Sequence, residues 1–311
     1  MNFNPFYTFV KNNPMTKRFS ILLILLSTVI QTKAQNWTTY YEPYGANAGQ
    51  YSRSVIEKED GSILLAGISD TLNNINGFFS EIDSNGNILN NLYIGGQWTD
   101  WMIDIFPNDS GYIALGYQED LDNFGFGMYS YIQMDSNLNI TKNYMDTLAI
   151  STQRYSDFCT DNSNIYGIRN NYGLFLTKFD MYGNVIWEIP YNMYPSPKAK
   201  SIIFTKDGNL LLSGTVDQNE TVSNEAFLLK LDTAGNIIWQ KILSGTNSRF
   251  IGDIKPTEDS GSVFILFDDY DQINFGTGEF KIKDFDKNGN EIFNTIPYDS
   301  TTWTYVEKND Q

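Results

Sequence analysis

The chain has 311 residues, with 37 acidic and 21 basic side chains, no histidine and one cysteine, and its formal net charge is −16. Such an acidic balance repels polyphosphate, which argues against nucleic acid or an anionic membrane surface as a partner. The lack of histidine excludes a Ser-His-Asp triad, a Cys-His pair and the common zinc sites, and the single cysteine excludes an intrachain disulfide.

The first recognisable element is a predicted signal peptide. Residues 17–34 run from the basic pair Lys17-Arg18 through a twelve-residue apolar stretch to Thr32-Lys33-Ala34, a small-x-small cleavage pattern. We therefore expect residues 1–34 to be removed, with Met15 as an alternative start, and no membrane span to remain in the mature chain. An uncleaved anchor is the weaker alternative, because a spanning helix needs roughly 20 apolar residues. Export to the extracellular space or outer cell surface follows, with the periplasm as an alternative.

After this segment, one motif occurs five times. Each copy has an alternating apolar run, an aspartate, a turn that in four copies is Gly-Asn, and a second apolar run. The copies are "SEIDSNGNIL" (80–89), "IQMDSNLNIT" (132–141), "TKFDMYGNVIW" (177–187), "LKLDTAGNIIW" (229–239) and "KDFDKNGNEIF" (283–293). Their aspartates are 52, 45, 52 and 54 residues apart, which indicates one structural unit repeated along the chain.

A second motif recurs in step with the first. Its copies are "RSVIEKEDGSILLAGI" (53–68), "MIDIFPNDSGYIALGY" (102–117), "YSDFCTDNSNIYGI" (155–168), "KSIIFTKDGNLLLSGT" (200–215) and "IGDIKPTEDSGSVFIL" (251–266). Both motifs read as β-hairpins, since apolar and aromatic runs flank short turns of Asp, Asn, Ser and Gly. Two hairpins in about 50 residues give four antiparallel strands, the size of a propeller blade.

The predicted fold is therefore an all-β propeller over residues 35–311. The units lie near 53–101, 102–153, 154–199, 200–250 and 251–303, and residues 304–311 begin a partial sixth unit. Five blades are recognisable, and the alternatives are a closed five-bladed ring or a truncated piece of a six- or seven-bladed one. Trp187 and Trp239 are expected to pack between neighbouring blades, and Cys159 is expected to be a buried small hydrophobe.

The blades resemble repeats of exported propeller proteins of the Bacteroidetes type, with patterns like S-I-x-x-T-x-D-G-G-Y and K-L-D-x-x-G-N-x-x-W-x-K. This likeness covers most of residues 37–311 and is strongest in the fourth unit. The stretch "LLKLDTAGNIIWQKILSG" (228–245) is also similar to repeats of pyrroloquinoline-quinone-type propellers. That similarity is a shared blade pattern, so it implies no quinone.

One set of polar residues is repeated near the start of the first strand of each unit. Its members are Ser54, Asp104, Asp157, Ser201 and Asp253. If the first strands line a central channel, these side chains form a polar ring that could hold a polar ligand or a cation such as calcium, and close carboxylates would raise one another's pKa. The alternative is that polar residues begin these strands for structural reasons alone.

Two other acidic features invite a calcium interpretation. The turns beginning at Asp83 and Asp286 place Gly and Asn where an EF-hand loop would not, so an aspartate that bonds its own turn amides is the simpler explanation. The acidic cluster Asp268, Asp269 and Asp271 is a weak metal candidate, with a solvated loop as its alternative. No cofactor is predicted.

The function favoured by the sequence is a non-catalytic binding or scaffold module for an extracellular glycan or protein ligand. Loops on one face of a rigid ring suit that role. The first alternative is a glycan-active hydrolase that uses Asp104, Asp157 and Asp253 as its acid and base. A purely structural repeat protein is the second alternative.

Overall fold

A computed structural model describes the backbone of residues 49–71, 74–95, 99–120, 126–145, 155–170, 173–191, 197–217, 224–244, 248–270 and 279–295. These residues form strands and turns, and none of them is helical. Accordingly, the described residues include no helix long and apolar enough to cross a membrane. The predicted signal peptide and the partial sixth unit lie outside the described residues.

Within the described residues, twenty strands form five sheets, which we number blade 1 to blade 5 in chain order. Blade 1 contains β1 (Gly49–Glu57), β2 (Ile63–Thr71), β3 (Asn74–Ile82) and β4 (Ile88–Ile94). Blade 2 contains β5 (Thr99–Asn108), β6 (Gly111–Asp120), β7 (Phe126–Asp135) and β8 (Ile140–Met145). Blade 3 contains β9 (Tyr155–Thr160), β10 (Asn164–Asn170), β11 (Leu174–Asp180) and β12 (Val185–Tyr191).

Blade 4 contains β13 (Pro197–Phe204), β14 (Leu210–Asp217), β15 (Asn224–Leu231) and β16 (Ile237–Leu243), and blade 5 contains β17 (Ser248–Pro256), β18 (Ser262–Tyr270), β19 (Glu279–Phe285) and β20 (Glu291–Thr295). Within every blade each strand pairs antiparallel with the next strand in the chain. The prediction of five four-stranded antiparallel blades is confirmed.

The hydrophobic core lies between the blades. Each of the four buried clusters among the described residues combines side chains from two consecutive blades. Because side chains alternate along a strand, Leu210 and Leu212 of β14 pack toward blade 3, while Leu211 packs toward blade 5. This two-sided burial is the reason that the inner strands read as nearly continuous apolar runs.

The repeated aspartate closes the turn between the third and fourth strands of its blade. In blade 4, Asp232 Oδ1 accepts hydrogen bonds from the N–H groups of Ala234 (2.9 Å) and Asn236 (2.8 Å). Asp232 Oδ2 accepts a third from Asn236 Nδ2 (2.9 Å). The same three bonds form in the other blades, at Asp83, Asp135, Asp180 and Asp286. The interpretation of these aspartates as turn-closing residues is confirmed.

Each such turn from blade 2 to blade 5 also accepts a hydrogen bond from the blade before it. The donors are side chains on the third or fourth strand, and the acceptors are backbone carbonyls of the turn. The pairs are Asn90 with Asn137 (2.8 Å), Tyr131 with Met181 (2.8 Å), Tyr191 with Gly235 (2.6 Å) and Trp239 with Lys287 (2.9 Å). These four bonds connect consecutive blades near their outer strands.

At these contacts, the size of the turn residue fits the side chains that it faces in the preceding blade. Gly289 has a φ of +79°, and a Cβ placed there would lie 3.2 Å from the ring of Trp239 in the preceding blade. In blade 2 the corresponding residue is Leu138, which keeps a positive φ of 63° and is only 3% exposed in the cluster between blades 1 and 2. Trp187 likewise packs on the cluster between blades 3 and 4, so the prediction for both tryptophans is confirmed.

Gly208 and Gly289 have nearly equal φ angles but different surroundings. Replacing each with alanine therefore distinguishes the free-energy cost of a left-handed non-glycine residue from the cost of a clash between blades. Gly208 (φ +77°) has open space where a Cβ would stand, whereas Gly289 (φ +79°) faces the Trp239 ring. We expect Gly208→Ala to lower the free energy of unfolding by about 1–2 kcal/mol, the cost of a left-handed non-glycine residue. Gly289→Ala should cost more, because the indole must also shift. Chemical denaturation measures both, and equal losses would contradict the packing contribution.

Candidate polar ring

A β-bulge stands next to the predicted polar residue in every first strand. The register shifts fall between Ser52 and Ser54 in β1, Met102 and Asp104 in β5, Tyr155 and Asp157 in β9, Ala199 and Ser201 in β13, and Ile251 and Ile254 in β17. A bulge bends its strand and redirects the neighbouring side chain. The first strands of consecutive blades contact one another, so these side chains belong to the innermost layer of the molecule.

Glycines on the second strand make room for three of these bulges. A Cβ at Gly67, Gly116 or Gly214 would collide with a backbone carbonyl of the paired first strand. These glycines end the apolar runs "LLAG", "IALG" and "LLSG" of the second sequence motif. They are therefore the sequence signal from which the bulges could have been predicted, since glycine in a strand marks a close approach of backbones.

Asp104 connects blade 2 to blade 1. The hydroxyl of Ser54 on β1 donates a hydrogen bond to Asp104 Oδ1, and the N–H of Ile105 donates another (3.0 Å). Burial, together with the negative charge of Asp157, raises the pKa of the Asp104 carboxyl to about 7. Asp104 is thus an acid poised to change its charge near neutral pH.

Asp157 connects blade 3 to blade 4. Its Oδ2 accepts hydrogen bonds from the hydroxyl of Ser201 (2.8 Å) and from the N–H of Ile202 (2.8 Å), both on β13. Burial raises the pKa of Asp157 to about 6, although these two hydrogen bonds favour the ionised form. The structure therefore brings the predicted residues together as two pairs, Ser54 with Asp104 and Ser201 with Asp157.

Asp253 has a different environment from the other two aspartates. Its carboxylate is exposed, accepts a hydrogen bond from the N–H of Ile254 (2.9 Å) and forms an ion pair with Lys255 (3.2 Å). Lys255 also lowers the pKa of Asp104, across from blade 5 to blade 2, which indicates that the first strands converge. Lys255 was not predicted from the sequence, although its spacing of two from Asp253 places both on one face of the strand.

Asp100 is a second residue that was not predicted from the sequence. It lies at the start of β5, only 1% exposed, and the amide of Gln118 donates a hydrogen bond to its Oδ1. Burial raises the pKa of Asp100 to about 6. Its sequence signal was weak, because the aspartate precedes a strand as many turn residues do.

The other predicted reactive groups are placed as follows. Cys159 is buried in the cluster between blades 3 and 4, as predicted, and burial raises the pKa of its thiol well above the usual range, so the thiolate is suppressed. No group of three or more acidic or cysteine side chains in the described part of the chain is arranged to hold a metal ion. Asp271 and the side chains of Asp268 and Asp269 lie outside the described residues.

Comparison with known proteins locates the fold. No family model matches the sequence, and no curated protein matches it. A protein of unknown function from Bacteroides caccae is similar in structure, at 13% identity and a TM-score of 0.50, over 79% of this chain and 81% of that one. The WD40 domain of Neurospora crassa Pan2 is similar at 13% identity and a TM-score of 0.53, over 79% of this chain and 65% of that one. The chain is a β-propeller.

A GH43 endo-arabinanase from Bacillus licheniformis is a more distant structural neighbour of this propeller. It shares 14% identity over 82% of this chain and 100% of that one, at a TM-score of 0.42. Likeness at such identities concerns the fold alone. The role of the polar ring therefore depends on the chemistry of its own residues.

The raised pKa values predict that the propeller becomes less stable as pH rises from about 4 to 7. A carboxyl with a higher pKa in the folded state than in the unfolded chain binds its proton more tightly when folded, so folding is favoured below that window and loses free energy through it. The amide introduced by Asp104→Asn stays neutral and can still accept a hydrogen bond from Ser54. The variant should therefore lose about 2–4 kcal/mol less free energy of unfolding than the wild type as pH rises. Thermal melts at pH 5 and pH 8 measure the difference.

Ser54→Ala should change the pH dependence of stability in the direction opposite to Asp104→Asn. The Ser54 hydroxyl lowers the pKa of Asp104, so its removal should raise that pKa and increase the loss of stability between pH 5 and pH 8. If Asp104→Asn kept the pH dependence of the wild type, the assignment of the titration to Asp104 would be wrong.

Proposed function

We propose that this propeller is an exported, non-catalytic binding or scaffold module, which presents its polar ring and turns to an extracellular glycan or protein ligand. The observation that carries the proposal is the engagement of the ring carboxylates across blade boundaries. Asp157 accepts two hydrogen bonds from blade 4, and Asp104 accepts one from blade 1. Carboxyl groups held in this way are already engaged by protein donors, which leaves recognition to the exposed surface.

The raised pKa of Asp104 is the observation that favours the alternative, a glycan-active hydrolase. A carboxyl with a pKa of about 7 is partly protonated at neutral pH, as a general acid must be. The second carboxylate would be Asp157 or Asp253. The bonds to Ser201 and Ile202 argue against Asp157 as a free nucleophile, and the ion pair with Lys255 argues against Asp253.

Single substitutions in the ring separate the two functions. The wild type and Asp104→Asn, Asp157→Asn and Asp253→Asn would be assayed for release of reducing sugar from neutral polysaccharides, with a thermal melt of each. For a binding module we expect no release by the wild type. At pH 8 Asp157→Asn should unfold at a higher temperature than the wild type, because its neutral amide avoids the ionisation cost that raises the pKa of Asp157 to about 6.

The opposite result identifies the hydrolase. Release of reducing sugar by the wild type, abolished by Asp104→Asn while that variant still melts at or above the midpoint of the wild type, would overturn the non-catalytic proposal. Absence of both hydrolysis and binding across glycan and protein ligands would leave the purely structural repeat as the function.

Export has its own test. The basic pair, the apolar stretch and Thr32-Lys33-Ala34 support a cleaved signal peptide. Expressed from the full-length gene in a Gram-negative host, the chain should be recovered outside the cytoplasm with Gln35 as its first residue by N-terminal sequencing. Recovery of intact chain in the cytoplasmic fraction would contradict export.

A further inference from the structure

A cleft of about 410 Å³ lies between blade 2 and blade 3, on the side of their hairpin turns. It is lined by the turn between β5 and β6, by Gln133 of β7, and by Asn162, Met181 and Tyr182 from the two turns of blade 3. None of the polar-ring residues lines it. Its volume falls within the range of small-molecule sites, and its walls come from different blades.

The aromatic wall of the cleft is Tyr182, whose backbone is fixed by hydrogen bonds and whose ring is exposed. The N–H of Tyr182 donates to Asp180 Oδ1 (2.8 Å), and its carbonyl accepts from Lys142 Nζ of blade 2 (2.8 Å). The Tyr182 side chain is nevertheless 66% exposed. A tyrosine fixed in this way offers a flat apolar face with little loss of conformational entropy on binding.

The polar wall is organised by a chain of side-chain hydrogen bonds. Gln133 Nε2 donates to the hydroxyl of Ser110 (2.8 Å), and the Ser110 hydroxyl donates to Asn108 Oδ1 (3.2 Å). This chain uses the amide nitrogen of Gln133 and the amide oxygen of Asn108. Among the contacts of the described residues, the Gln133 oxygen is left as an acceptor and the Asn108 nitrogen as a donor.

The turn of blade 3 adds a further amide to the cleft. Asn162 adopts a positive φ of 66°, an unusual conformation for a non-glycine residue, and its side chain is exposed. Asparagine tolerates this conformation, and the turn places the Asn162 amide on the wall of the cleft. The cleft therefore presents three amides around one exposed aromatic ring.

The charge of the cleft selects against anions. Asp109 lines it, the chain as a whole carries a formal charge of −16, and the Lys142 ammonium is already bonded to the carbonyl of Tyr182. Paired amide donors and acceptors match neighbouring hydroxyl groups, and an aromatic face matches the C–H face of a pyranose ring. We infer that the cleft between blades 2 and 3 binds a neutral oligosaccharide, with the Tyr182 ring stacked on one sugar.

The experiment is a titration of the full chain with cellohexaose, xylohexaose, mannohexaose and laminarihexaose by isothermal titration calorimetry and saturation-transfer NMR. Hexagalacturonate is the charged counterpart. We expect at least one neutral hexasaccharide to bind, and hexagalacturonate to bind at least roughly tenfold more weakly, because of the acidic surroundings.

Substitutions of Tyr182 locate the binding. Tyr182→Ala should weaken it roughly tenfold or more, and Tyr182→Phe, which keeps the ring, should retain it within about threefold. The fold should tolerate Tyr182→Ala, because Ala234 holds the same position in the corresponding turn of blade 4. Tyr51→Ala is the matched control, since Tyr51 is 56% exposed on β1 and does not line the cleft.

Three results would overturn the inference. They are a failure of all four neutral hexasaccharides to bind, binding that Tyr182→Ala leaves unchanged, and an equal loss with Tyr51→Ala. The binding test in the cleft is independent of the hydrolysis test in the polar ring. A failure of the oligosaccharide inference can therefore be distinguished from a failure of the proposed non-catalytic function.

Discussion

The Asp-x-x-Gly-Asn turn, with Leu138 in place of glycine in blade 2, is the constraint on which the blade-to-blade contacts depend. Its aspartate satisfies two turn amides and the asparagine side chain, so the turn keeps one shape at every copy. The turn carbonyls are then free to accept from the preceding blade, as Gly235 does from Tyr191. Hydrogen bonds within each turn thereby position hydrogen bonds between blades. The four hydrophobic clusters lie between the same consecutive blades.

The polar ring follows from a second local constraint, the bulge in each first strand. The bulge turns a serine or aspartate toward the innermost layer, where Ser54 meets Asp104 and Ser201 meets Asp157. Partly buried carboxyls of this kind cost free energy when they ionise, and the hydrogen bonds across the blades offset part of that cost. The ring therefore couples the stability of the innermost layer to pH, whatever ligand the exposed surface takes.

Much of the fold was predictable because its signals are local. A period of two, turn residues at fixed offsets and a repeat of about 50 residues are read along the chain without knowledge of distant contacts. The members of the ring were predictable from their aligned positions. Their pairing was not, nor were the buried acid Asp100 or the buried Lys230, which donates to Asp207 in its own blade and to the Ser260 carbonyl of the next. Lys230 lies 23 residues from Asp207 and 30 residues from Ser260, and the sequence does not show which side chains meet across these separations.

The sequence by itself determined the strands, the turns and the number of recognisable blades, since these depend on backbone conformation and alternation within short segments. The tertiary structure alone decided which carboxylates share a blade boundary, that Asp253 is exposed beside Lys255, and that turns of two blades enclose a cleft beside Tyr182. The physical reason is that pKa, pairing and cleft shape depend on groups brought together by the packing of one blade on the next, and that packing is a property of the assembled blades.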